Sequence, residues 1–168
     1  MSLSREIKKS KPFDVLEQEA MLNLARTLDV LAGELAVAVF KPSGLSPAQY
    51  NVLRILRGAG EHLACNEIAS RMIARDPDMT RLLDRLEKRK LVSRCRQQTD
   101  RRVVAVRITD AGLHLLAELD PKILGAHRQQ LGHMTQEELK QLIALLEKAR
   151  QRDHQEEHQE EHQESTTP

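Results

Sequence analysis

The chain has no tryptophan, and two Phe and one Tyr are its entire aromatic content in 168 residues. A core must therefore be built from Leu, Ile, Val, Ala and Met, which suits packed helices better than an all-β sandwich. Long apolar runs are missing as well. The longest, "LAVAVF" at 35 to 40, is far short of a membrane span, and the N-terminal "MSLSREIKKSK" lacks the apolar centre of a secretory signal. These absences lead to the expectation of a cytoplasmic protein with no membrane partner. Cysteine is scarce: Cys65 and Cys95 show no CxxC or Cys/His metal spacing, so two free thiols acting as small buried hydrophobes are expected, and no metal site. No phosphate loop, paired-acid motif or serine-histidine-aspartate arrangement is found, which argues against an enzyme and against a bound cofactor.

What the chain does have is charge of one sign in one place. The whole is nearly neutral, with 26 basic and 25 acidic side chains. From Arg71 to Arg107, however, 12 Lys or Arg face 5 Asp or Glu, a local excess of 12 − 5 = +7. The tail from Asp153 to Glu164 is the reverse, with 6 acids and no Lys or Arg. A concentrated basic segment can be an ordinary solvated face, but it also fits a polyanionic partner such as nucleic acid.

Hydrophobic spacing divides the chain into helices. Leu16, Ala20, Leu24, Leu28, Leu31 and Leu35 recur at helical intervals within 13 to 40, and Pro42 and Gly44 stop that helix. "LSPAQYNVLRILRGAG" opens with a capping box of Ser46 and Gln49, with Pro47 at the first helical position, and its core face is Val52, Leu53 and Leu56. A short third helix runs through Ile68, Ala69, Met72 and Ile73. The fourth is expected to start with Asp76 as cap and Pro77 as first residue. Its Met79, Leu82, Leu83 and Leu86 share one face, leaving Pro77, Thr80, Arg81, Asp84, Arg85 and Lys88 on the other.

The run Val103 to Thr109 is β-branched almost throughout and too short for a helix, so it reads as a strand, paired with a second strand at 91 to 96 through the turn "QQTDRR". Thr109 can cap a further long helix through Leu113, Leu116, Leu119 and Ile123, which Pro121 should kink or interrupt. A last helix starts at the capping box of Thr135 and Glu138 and carries Leu139, Leu142, Ile143 and Leu146. Residues 151 to 168 repeat His-Gln-Glu-Glu without an apolar side chain and form an acidic tail expected to be disordered. The fold class is thus mainly α with a small β-hairpin wing: a winged helix-turn-helix.

In "LSPAQYNVLRIL", "NEIASRMI", "MTRLLDRLEKRKLV" and "TDRRVVAVRITDAG", taken in that order, the chain resembles the MarR family of bacterial transcriptional regulators over roughly residues 13 to 150. The resemblance implies a homodimer built by an N-terminal helix region (1–40) and C-terminal helices (110–150), with a DNA-binding lobe at 41–109. It implies a recognition helix in the major groove, a wing in the flanking minor groove, double-stranded DNA as partner, and often a small-molecule effector, a phenolic or other aromatic anion. Onto this chain it carries Arg75, Pro77, Asp78, Thr80, Arg81, Arg85 and Lys88 as recognition-helix contacts, and Asp100, Arg101 and Arg102 as wing contacts.

The residue chemistry agrees. Guanidinium groups at 81 and 85 can donate to guanine O6 and N7 or to phosphates, and Thr80 can meet a phosphate or a thymine methyl. Asp78 can accept from cytosine N4 or cap its helix, capping being favoured. Asp100 can orient Arg102 for minor-groove insertion. At Lys90 the family commonly has Gly, because that helix end often needs a positive φ.

Two alternatives remain at this point: a metal- or thiol-responsive regulator of the same fold, using the cysteines or His154, His158 and His162 of the tail, and a winged-helix module that binds protein instead of DNA. His114, His127 and His133 read as partly exposed polar residues.

Overall fold

The protein, seen in a computed structural model, is described over residues 2–96 and 104–151. It divides into two compact units, Met1–Arg128 and Gln129–Pro168. The first holds a short helix α1 (Leu3–Glu6), the long α2 (Leu16–Leu35), a π-helical turn Ala36–Phe40 and a last helical turn α3 (Lys41–Ser43). No residue of α2 is buried, whereas Val39 and Phe40 enter the core. The extra residue of the π turn re-phases the helix so that its end faces inward. Gly44 ends it with φ +65, a left-handed conformation that a side chain would strain.

Helix α4 (Pro47–Ala59) starts as its sequence dictates: the Gln49 amide donates to Ser46 Oγ at 3.2 Å, and the Ser46 amide donates to Gln49 Oε1 at 2.9 Å. Val52, Leu53 and Leu56 are fully buried beneath it. A two-residue strand β1 (Leu63–Ala64), helix α5 (Cys65–Ser70) and helix α6 (Met79–Lys88) follow, then β2 (Val92–Arg96), β3 (Val104–Ile108) and α7 (Asp110–Leu131).

The sheet is antiparallel in the order β1-β3-β2, with Val92 opposite Ile108 and Arg96 opposite Val104 on one side, and Leu63 opposite Val106 on the other. The expected hairpin is present, but the sheet has three strands. Leu63 and Ala64 are too short a run to show strand periodicity; burial of Leu63 beside Val106 holds them there.

Leu83, Leu86, Val106 and Leu116 are fully buried and join α6, the sheet and α7 in one core. Three expectations need correction. Pro121 does not interrupt α7, which runs through it, with Leu116, Leu119 and Ile123 packed into the core on both sides. Cys95 is exposed and is not a buried hydrophobe, whereas Cys65 is half-buried and packs against the edge of the core. The third helix ends at Ser70, before Met72 and Ile73. No helix among the described residues is long and apolar enough to cross a membrane.

The second unit contains α8 (Gln136–Arg150), capped by Thr135, whose hydroxyl accepts from the Glu138 amide at 3.3 Å while Glu138 Oε2 accepts from the Thr135 amide at 2.8 Å. The bond from the Thr135 amide, and after it one from the Thr135 hydroxyl to Glu138 Oε2 at 2.9 Å, hold the exposed Glu138 carboxyl below its ordinary value. Ile143 and Leu145 on α8 remain exposed.

Candidate nucleic-acid interface

Helix α6 is two-faced. Leu82, Leu83 and Leu86 are buried, while Thr80, Arg81, Asp84, Arg85 and Lys88 are exposed along the opposite side. A 3.6-residue repeat places 81, 85 and 88 in one stripe and 80, 84 and 88 in the next. Among the described residues neither Arg85 nor Lys88 is in an ion pair.

The start of α6 differs from the sequence expectation. Its cap is Asp78, whose Oδ1 accepts from the Arg81 amide at 3.1 Å and whose Oδ2 lies 3.2 Å from Arg81 Nε. Asp76 instead accepts from the Asp78 amide at 2.9 Å, closing a tight turn ahead of the helix. Arg75 and Pro77 therefore precede α6 and are exposed in the loop leading to it. That loop is tied to α4 by the Ile73 amide, which donates to Asn51 Oδ1 at 2.9 Å.

At the far end Lys90 adopts φ +59, the left-handed turn in which the family commonly places glycine. The Leu91 amide donates back to the Leu86 carbonyl at 3.0 Å, satisfying one of the helix's last acceptors. Thr109 then closes the root of the hairpin: its amide donates to Leu91 O at 3.1 Å, and its hydroxyl donates to Lys90 O at 2.7 Å and accepts from the Gly112 amide at 3.2 Å. Arg89 donates to the carbonyls of Gly44 at 2.7 Å and Ser43 at 3.2 Å, fixing the end of α6 to the end of α3.

One arginine on this face escapes reasoning from sequence. Arg94, on β2, places Nη1 2.6 Å from Asp84 and 3.4 Å from Glu87, and Nη2 donates to the Thr80 carbonyl at 3.3 Å. Its spacing from Asp84 across a helix end and a strand carries no local signal. The expected wing contacts Asp100, Arg101 and Arg102, and the tail histidines His154, His158 and His162, lie outside the described residues.

Behind the helix-turn-helix a cavity of about 590 Å³ is lined by Phe40, Tyr50, Arg54, Met72, Ile73, Ile123 and His127, among others. Its wall is chiefly apolar, with Arg54 and Arg75 supplying cations and Asp76 a carboxylate. At its edge the Tyr50 hydroxyl lies 3.5 Å from Asp120, which also receives Arg57 Nη1 at 2.6 Å. Burial, first of all, pushes the Tyr50 phenol above its ordinary value, so it remains a donor to Asp120; the same carboxylate raises Arg57 by hydrogen bonding. His114, His127 and His133 are exposed, as expected. No cluster suited to a metal ion occurs among the described residues.

Residues 43–103 match the model of the MarR family. The chain is 30% identical over 141 residues to the transcriptional repressor MdtR of Bacillus subtilis, spanning 84% of this chain and 90% of that protein. The chain belongs to the MarR family. A MarR transcription factor structure from Planctomyces limnophilus is 46% identical, with a TM-score of 0.63 over 81% of this chain and 98% of the other. BpsR of Bordetella bronchiseptica, described as regulated in DNA binding by 6-hydroxynicotinic acid, is 25% identical, with a TM-score of 0.74 over 85% of this chain and all of that one. As a MarR-family transcriptional regulator, the protein has its winged helix-turn-helix in α4 to β3.

Proposed function

We propose that this regulator is a homodimeric repressor that places α6 in the major groove and the wing in the adjacent minor groove of a pseudo-palindromic operator, and that a small aromatic acid releases it. The observation that carries the reading is the α6 face itself: Arg81, Arg85 and Lys88 stand exposed above three buried leucines. Arg75, Pro77 and Thr80 flank that face and fit backbone contacts, while Asp78 acts as the cap. Arg101 and Arg102, with Asp100, fit the wing role by sequence alone. A pair of such lobes requires a dimer, for which the uncovered apolar face of α2 and the helices of 110–150 are the available surfaces.

The effector site is assigned to the cavity beside Arg54. An apolar wall with the guanidiniums of Arg54 and Arg75 on it suits an aromatic ring bearing a carboxylate or phenolate. The regulation of DNA binding in BpsR by 6-hydroxynicotinic acid, an aromatic acid, supports this class.

The test is selection of bound sequences from random DNA, followed by titration of Arg81→Ala, Arg85→Ala and Arg102→Ala on the selected operator and its single-base variants. A base-reading Arg81 loses about 1–3 kcal/mol at one position, whereas Arg102 loses a similar amount with a salt slope reduced by roughly one. Selection that enriches no sequence would overturn the reading.

A further inference from the structure

We propose that Arg94 is a positioning residue of the DNA face: from β2 it neutralises Asp84 and Glu87 on α6, so that the helix can approach phosphates. The proposal rests on the assignment of α6 as the DNA-facing helix.

Asp84 stands at the middle of the polar face, one turn from Thr80, Arg81 and Lys88, with its side chain about half exposed at 53%. Glu87 borders the same face. Two uncompensated carboxylates there would meet DNA phosphates with like charge, a repulsion that grows as water is excluded. Arg94 is placed to prevent this. Its side chain is only 24% exposed and reaches both carboxylates through Nη1, at 2.6 and 3.4 Å, while Nη2 holds the Thr80 carbonyl. Its Nε is buried without a partner among the described residues, so Nη1 and Nη2 alone fix the guanidinium against α6. The cation comes from the strand that leads into the wing, and the anions come from the recognition helix. The pair therefore sets the charge of the helix face and joins the two DNA-contacting elements at once. Arg94 differs in this from Arg85 and Lys88, whose charges are free to meet phosphate.

The experiment compares operator affinity and its salt dependence for the full-length wild type, Arg94→Met, the double variant Asp84→Asn/Glu87→Gln, and the triple variant combining all three. Methionine keeps the apolar stem of Arg94 and removes its charge. Arg94→Met should bind about ten-fold more weakly. The triple variant should recover to within about three-fold of wild type, with the wild-type salt slope, since no phosphate contact has been lost. The double variant, which keeps Arg94 and is independent of how well Arg94→Met folds, should bind more tightly than wild type.

A triple variant as weak as Arg94→Met, with a slope lower by about one, would make Arg94 a phosphate contact and overturn the proposal. Weaker binding by the double variant would overturn it too, because the carboxylates would then be contributing to recognition. Arg85→Ala separates the two layers of the argument. If it binds like wild type, the assignment of α6 falls and the masking role with it; if it binds weakly while the triple variant is not rescued, only the masking role falls.

Discussion

Lys90 is strained where a glycine would not be. At φ +59 its Cβ crowds the backbone, a cost of about 1 kcal/mol that glycine avoids. Lys90→Gly should therefore raise stability by about that amount in urea denaturation, with unchanged helix content; a loss of stability would mean that the lysine side chain compensates its strain. Gly112 is the opposite case. A Cβ there would collide with the Leu91 carbonyl oxygen and come within 2.7 Å of Ile108 Cγ1, both of them held by the hairpin root. Gly112→Ala should destabilise the protein by about 1–3 kcal/mol, measured by the same denaturation. The positive φ at Lys90 was foreseeable from the resemblance, because a helix end before a strand calls for that turn. The close approach at Gly112 was not, since it depends on three segments that meet only in the fold.

Among the elements, α6 separates what sequence pattern conveys from what it hides. Its buried and exposed sides follow from the spacing of Leu82, Leu83 and Leu86, and the structure keeps both. Its start does not follow. Asp76-Pro77 has the form of a cap followed by a first helical residue, yet the Asp76 carboxylate is taken by the Asp78 amide, and the helix begins two residues later. Two neighbouring aspartates each offered a cap, and local pattern does not rank them. Asp78→Ala should cost about 1 kcal/mol of stability and weaken DNA binding by loosening the first turn of α6. Thermal denaturation and operator titration check the two effects, and a larger stability loss from Asp76→Ala would return the cap to that residue. The Arg94 pairing was illegible for a related reason: it links a helix to a strand, and its partners are neighbours only after the hairpin has folded back.

For the whole molecule, the surface left uncovered matters more than the core. Helix α2 buries none of its residues, and Leu16, Met21 and Leu28 are 78%, 65% and 69% exposed. Apolar area of this extent on one helix marks an association surface. Leu28→Glu should convert the proposed dimer to monomer in sedimentation, lower operator affinity, and leave the lobe folded, since Leu28 is exposed and α2 meets the core only through its last residue, the partly buried Leu35. A dimer that persists would move the interface elsewhere. This point substitution is cleaner than deleting residues 1–40, which would also remove the buried Leu3, Val39 and Phe40.

The Thr109 knot has a consequence for how such a regulator can diversify. Because one residue fastens the exit of α6, the foot of β3 and the first turn of α7, the clasp is shut whatever sequence joins Arg96 to Val104. Changes out there add only to the entropy of a closed loop, which grows slowly with its length. Sequence and length between Arg96 and Val104 can therefore change while the scaffold beneath keeps its shape and needs no new fold.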